Sequence, residues 1–252
     1  MANLNTILNY TNELLSITQF DDYCPNGLQV QGKAEVKRLA GGVTACKELI
    51  NKAIKSDADA ILVHHGYFWK GEEPTITGMK YERIRCLIES GISLLAYHLP
   101  LDAHPEYGNN ARLASLLGIS AEGGFARNGL VDIAQYGRFN PGLSRDELSE
   151  RLITVLNREP LVIAGHDRKI ETVGLCTGAA QSCIDEAASL GLDAYITGEV
   201  SEHTFHTARE LGINFYAAGH HATERYGVMA LGQHLSGHFD IEFQFIDIDN
   251  PV

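Results

Sequence analysis

A chain of 252 residues, 44% hydrophobic and 21% charged, carries enough apolar side chains for a packed core, which excludes a disordered or fibrous protein. Its formal charge of −12 repels phosphate backbones and no basic patch offsets it, which argues against nucleic acid as a partner. The amino-terminal stretch has no basic start, no run approaches ~18 consecutive apolar residues, and the five cysteines lack CxxC spacing. The expectation is a soluble, cytoplasmic chain with reduced thiols and no membrane contact.

In chain order, β-branched and aromatic runs alternate with amphipathic segments, the pattern of βαβ units around a largely parallel sheet. Residues 38–44 predict a strand. Residues 46–55 predict a helix whose apolar stripe is Leu49, Ile50, Ala53 and Ile54, and residues 59–63 a short buried strand. A helix around residues 81–89 and a strand at 92–97 follow. Residues 120–170 read as a connector, in which Ser144 and Glu147 form a capping box opening the helical stretch 148–156.

Beyond the connector the order repeats: strand 172–177, helix 181–189, strand 193–197, helix 202–210, strand 213–217. The residues repeat as well, Asp59-Ala60 aligning with Asp193-Ala194 and Gly91-Ile92 with Gly212-Ile213. Near the end, Phe239, Ile241, Phe243 and Phe245 alternate with Asp240, Glu242 and Gln244, which predicts a half-buried antiparallel edge strand ending or bulging near Ile246. The fold expected is α/β: two similar halves with an internal pseudo-twofold repeat, mixed sheets and flanking helices. Residues 1–120 form the first half, with the C-terminal segment packing back on it, 121–170 the connector and 171–252 the second half. Such an architecture would hold its site between the halves.

Several of the eleven histidines fall at or just past strand ends, where α/β sheets place their sites. His64 and His65 close a buried strand. Neighbouring strand residues face opposite sides, so both imidazoles serve one site only if the chain bends, which Gly66 permits; two metal ions suit the pair better than one. Pro100 and Pro105 exclude regular helix around His98, Asp102 and His104 and predict a rigid loop, although Asp102 taken alone reads equally as a helix cap. His220 and Glu224, four apart, share one face of a helical turn, and His98 and Asp102 repeat that spacing in the first half.

Imidazoles with two carboxylates and no thiolate suit two divalent ions of Zn, Mn, Fe or Ni, and paired ions favour hydrolysis. Glu224 is the candidate bridging carboxylate, with Asp102 the other. His203 and His206 read as a solvated helix face. The loop Tyr67, Phe68, Trp69 offers aromatics for a pocket or a subunit contact. Asn26, in the Pro25-Asn26-Gly27 turn, has no spacing that ties it to the site.

The stretches CPNGLQVQG, VTAC, ILVHHGYFWKG, YHLPLDAHPEYGNN, ITGEVSEHT and AAGHHATERYG resemble, nearly end to end, the signature of the Nif-three-like family, whose members are often named GTP cyclohydrolase I type 2 homologues. The resemblance implies a two-domain α/β fold, a dinuclear metal centre and a toroidal homohexamer. It places the metal ligands at His64, His65, Asp102, His220 and Glu224; His98 matches the family motif too and is read here as a ligand or proton shuttle. Some relatives carry a larger insert where this chain has its connector. The function expected is a metal-dependent hydrolase of the GTP cyclohydrolase kind acting on a small molecule, a nucleotide by that resemblance. The alternative is a non-catalytic metal-binding or metal-delivery ring scaffold.

Overall fold

In the computed structural model, which describes residues 1–252, the strand read at 38–44 is β4 (Arg38–Thr44), and the elements predicted after it follow in order. By backbone proximity the chain forms two units, Met1–Leu101 with Gly227–Asp249, and Asp102–Tyr226 with Asn250–Val252. The chain passes from one to the other within α4 (Leu99–Ala103) and returns within α10 (Arg225–Phe239).

The first unit opens with β1 (Ala2–Asn3) and α1 (Leu4–Leu14), and β1 pairs with β3 (Glu35–Val36) in a two-stranded ribbon. Its main sheet is built on the predicted repeat. After β4 come α2 (Lys47–Lys55), β5 (Ala60–His65), α3 (Gly78–Ser90) and β6 (Ser93–Ala96), with β4, β5 and β6 parallel. The stripe predicted on α2 is the buried face: Leu49 and Ile50 are fully covered, each worth roughly 1.5–3 kcal/mol. They pack with Ile61, Val63 and Leu94 in the core of this unit. The sheet is completed by β2 (Gly27–Val30), antiparallel to β6, and β13 (Glu242–Phe245), in the order β13-β4-β5-β6-β2.

The final strand corrects one expectation. It is an edge strand with Glu242 and Gln244 exposed, but it runs parallel to β4, not antiparallel. Alternation fixes which face of a strand is buried but not the direction of its neighbour, and the helix that precedes this strand, α10, is one the sequence reading did not identify. Three glycines hide that helix, because glycine lowers helix propensity. Gly232 is required by packing, since a Cβ there would run into the Phe243 ring.

The second unit contains α5 (Asn109–Leu117), β7 (Ser120–Asn128), β8 (Val131–Leu143), α6 (Arg145–Leu156), β9 (Leu161–Ile163), β10 (Ile170–Leu175), α7 (Ile184–Ser189), β11 (Ala194–Thr197), α8 (Glu202–Leu211), β12 (Asn214–Ala217) and α9 (His220–Thr223). Its single sheet has the order β7-β8-β10-β11-β12-β9. Residues 120–170, read as a connector, thus supply three of its strands and one helix. Glycine and polar residues in β7 and β8 mask their pairing potential, which the long antiparallel hairpin realises. At the start of α6 the predicted capping box is formed, with Glu147 N–H to Ser144 Oγ at 3.2 Å and Ser144 N–H to Glu147 Oε2 at 2.7 Å.

The repeat is physical in each unit. Strands β10, β11 and β12 are parallel like β4, β5 and β6, and β9 lies antiparallel on β12 as β2 lies on β6. The aligned aspartates do the same work. Asp59 accepts the N–H groups of Lys37 (2.9 Å) and Arg38 (3.1 Å), while Asp193 accepts those of Glu171 (3.1 Å) and Thr172 (3.0 Å). Each ties the entrance of one central strand to the entrance of the next. No helix is long and apolar enough to cross a membrane.

Candidate metal centre

In the first unit, three imidazoles converge. His64 and His65 end β5, and His98 follows β6 across the sheet. Their ring nitrogens lie within 4.8 Å of one another, with ring centroids 4.6 Å apart for His64 and His65, 5.1 Å for His64 and His98, and 5.7 Å for His65 and His98. Gly66 is not in the left-handed region; a side chain there would meet Gln29 and Ala96, so space and not backbone freedom requires glycine.

Each imidazole is oriented through Nδ1. That of His64, fully buried, lies 2.9 Å from the Tyr97 carbonyl; a carbonyl only accepts, so Nδ1 carries the proton and Nε2 the lone pair. His65 Nδ1 meets Thr44 Oγ1 at 3.3 Å, and His98 Nδ1 meets Asp22 Oδ1 at 2.7 Å. His98 is also held by its backbone, which donates to Asn26 Oδ1 at 2.8 Å. Asn26, unassigned from spacing, is therefore a clamp beside the site.

Asp22 accepts from Tyr23 N (2.6 Å), Asn26 Nδ2 (2.7 Å) and Leu99 N (3.0 Å) as well. Burial alone would raise its pKa, but His98 and these donors outweigh that and hold it below the usual carboxylate range. Cys24 stands near, its thiol pushed up to about 12 by burial and by the Asp22 charge. Both Asp22 oxygens are engaged by these hydrogen bonds, so Asp22 acts as a clamp on the His98 ring.

The second unit presents carboxylates. Pro100 does not prevent α4: it falls in the first helical turn, where a missing N–H costs nothing, and the expected loop is a short helix carrying Asp102 one turn after His98. Asp102 is buried and its Oδ1 accepts from Asn109 Nδ2 (2.8 Å) and Thr177 Oγ1 (3.2 Å). It is not the cap of α5, whose N-cap is Gly108.

His220 opens α9, and Glu224, 2% exposed, closes it. The predicted spacing brings His220 Nε2 to 3.1 Å from Glu224 Oε2. On the other side Nδ1 meets Glu199 Oε1 at 2.6 Å. Burial pulls the His220 pKa down, but Glu224 first and Glu199 second outweigh it and raise it to about 9. An imidazolium held between two carboxylates is a donor pair that demands positive charge, and a divalent cation answers that demand as well as a proton does. Cys176, at the end of β10, is kept a thiol by burial and, further, by the charges of Cys183, Asp102 and Glu224.

His203 and His206 are exposed on α8, as expected. Of the aromatic loop, Tyr67 is buried and Phe68 packs against the core, while Trp69 turns toward His65 and His98. Sequence reasoning missed Asp22, Thr44, Glu199, Asn109 and Thr177, whose signal is only their placement in space.

Imidazole and carboxylate donors, the imidazoles and Asp102 each held by an outer hydrogen bond, define an α/β protein with candidate metal-binding clusters of histidine, aspartate and glutamate. Residues 2–251 match Duf34/NIF3 (NGG1p interacting factor 3), and the chain belongs to that family. A relative from Vibrio cholerae, named GTP cyclohydrolase 1 type 2 homolog, is 56% identical over 96% of each chain. Another of that name, from Pasteurella multocida, is 54% identical over 99% of this chain and 98% of its own. A solved structure described as protein ybgI, of unknown function, is 46% identical, with a TM-score of 0.96 over 100% of both chains.

Proposed function

We propose that this chain is a metal-dependent hydrolase that holds two divalent ions on His64, His65, Asp102, His220 and Glu224, with a GTP cyclohydrolase-like reaction as the first candidate because its relatives carry that name. The observation that carries the reading is the seating of His220 between Glu199 and Glu224, the carboxylate and imidazole arrangement in which a metal replaces a proton. The donor set has no thiolate and suits Zn, Mn, Fe or Ni. Bound ions of this kind acidify water and polarise an electrophilic substrate.

The protein's own contribution is orientation and proton transfer. Asp22 fixes the His98 ring through Nδ1, which leaves Nε2 to take and return a proton at the substrate. Asn109 and Thr177 fix Asp102, and Glu199 fixes His220. A charge of −12 slows the approach of an anionic nucleotide, so turnover should rise with ionic strength if GTP is the substrate. Assembly as a toroidal homohexamer belongs to the same proposal and is checked by mass in solution.

The test is elemental analysis of protein purified without added metal, then formate release from GTP after loading with each metal. Two ions per chain, with turnover lost in Glu224→Ala, is the expected result. Bound metal with no turnover of GTP or of a panel of phosphoesters and amides would replace the hydrolase by a metal-delivery scaffold.

A further inference from the structure

The histidines of the first unit stand against aromatic rings that no metal ion uses. Trp69, the only tryptophan of the chain, lies 4.9 Å from the His98 ring at 87° and 5.9 Å from the His65 ring at 52°. Tyr23 lies 6.4 Å from His98 at 62° and is 55% exposed. The two segments are tied directly, Lys70 N–H donating to the Tyr23 carbonyl at 2.6 Å.

Trp69 is held with unusual care for a loop residue. Its backbone N–H donates to Glu72 Oε2 (3.1 Å) and its indole N–H to the Gly66 carbonyl (3.3 Å). Glu72 is in turn paired with Lys80 at 2.9 Å, and Lys80, 11% exposed, lies over the Phe68 ring at 5.6 Å. Phe68 itself has φ +67, a left-handed conformation a phenylalanine adopts only when its surroundings enforce it. A strained residue held under Lys80, immediately before a ring that is itself hydrogen-bonded at both its backbone and indole N–H, is the mark of a positioned side chain.

With its indole N–H committed to Gly66, Trp69 can offer a ligand only a π surface, and the exposed Tyr23 presents a second ring to the same imidazole. We propose that Trp69 and Tyr23 form the subsite for a planar nitrogen heterocycle, which stacks on these rings with its edge toward His98. The inference rests on the metal-centre reading for its chemistry, because it places a flat ring beside the groups that would act on it. Stacking selects by flatness and not by hydrogen-bond pattern, so Trp69 and Tyr23 set the class of substrate, and other groups choose its member.

Bracing of His98 is the competing role, and it predicts a different result. Guanosine and, separately, ribose 5-phosphate are titrated into the full chain, both metal-loaded and metal-free, with metal content measured on the same samples. Emission of the single tryptophan reports binding to the parent and to Tyr23→Ala; calorimetry reports it for Trp69→Leu. Guanosine is expected to quench Trp69, and each variant to lose about 5- to 150-fold in guanosine affinity while its metal content and melting temperature stay at the parent's values. Ribose 5-phosphate should leave the emission unchanged. Guanosine that does not bind metal-loaded parent, or binds parent and both variants equally, overturns the subsite. Variants that lose metal and guanosine together assign the rings to bracing and overturn it equally. Ring binding by a chain that retains no metal supports the subsite and refutes the metal reading.

Discussion

Removing the Glu199 carboxylate is expected to weaken metal binding at His220 by about 10- to 100-fold, or roughly 1.4–2.7 kcal/mol. Glu199 Oε1 lies 2.6 Å from Nδ1, so it keeps that nitrogen protonated and the ring turned with Nε2 toward Glu224, 3.1 Å away. In Glu199→Ala the ring is free to rotate or to take the other tautomer, and Glu224 alone must hold it. Glu199→Gln keeps an oxygen acceptor and loses only the charge, so its loss should lie at the lower end. The Glu199 side chain is 35% exposed, which makes unfolding an improbable cause of the effect. The assay is competition for Zn against a chelator, with Glu224→Ala as the reference for full loss and thermal melting as the control for folding. Parent-like affinity in Glu199→Ala, beside loss in Glu224→Ala, would refute the claim that Glu199 orients the ligand.

Asp59→Asn should destabilise the chain by about 1–3 kcal/mol at pH 7, because three donors lose a charged acceptor. Burial raises the pKa of Asp59, but the Lys37 N–H, the Lys33 ammonium and the Arg38 N–H outweigh it and hold the carboxyl below its usual range. Its stabilisation is therefore present above the unfolded value, about pH 4, and is lost as pH falls through the lowered folded value. Denaturant unfolding should show the gap between parent and variant closing toward acid pH, and Asp193→Asn should repeat the behaviour, since its pKa is lowered in the same way. Gly178→Ala places a methyl group against Glu224 Oε1 and His220 Nε2 at a φ of +71. It should cost about 1–2 kcal/mol of stability and lower metal content, measured by unfolding and elemental analysis; full occupancy would show that Glu224 can move without loss.

Local pattern was enough for the elements that bury one continuous apolar face. The alternation from β4 to β6 and from β10 to β12, the stripe of α2, the Ser144 capping box and the turn joining His220 to Glu224 are all contained within a few neighbouring residues, so periodicity and spacing reveal them. The aligned Asp59 and Asp193 were visible as a repeat, and their shared role at the strand entrances explains it. Where propensity and packing disagree, packing prevailed: α10 forms across Gly232 because the Phe243 ring needs that space, and glycine-bearing β7 and β8 pair because each is the other's partner.

The direction of β13 and the orientation of the candidate ligands lay beyond any window of sequence. A strand does not encode whether its neighbour runs with it or against it; its pairing with β4 in the folded chain decides. In the same way His98 and His220 announce themselves by type and spacing, but Asp22 and Glu199 become their partners only when the chain brings residues 76 and 21 positions apart to hydrogen-bonding distance. The sequence by itself determined the donor chemistry, since side-chain type sets which atoms can hold a cation. Only the tertiary structure decided how each ring is turned and, for His64, which nitrogen carries the proton, because that depends on what the folded chain places against Nδ1.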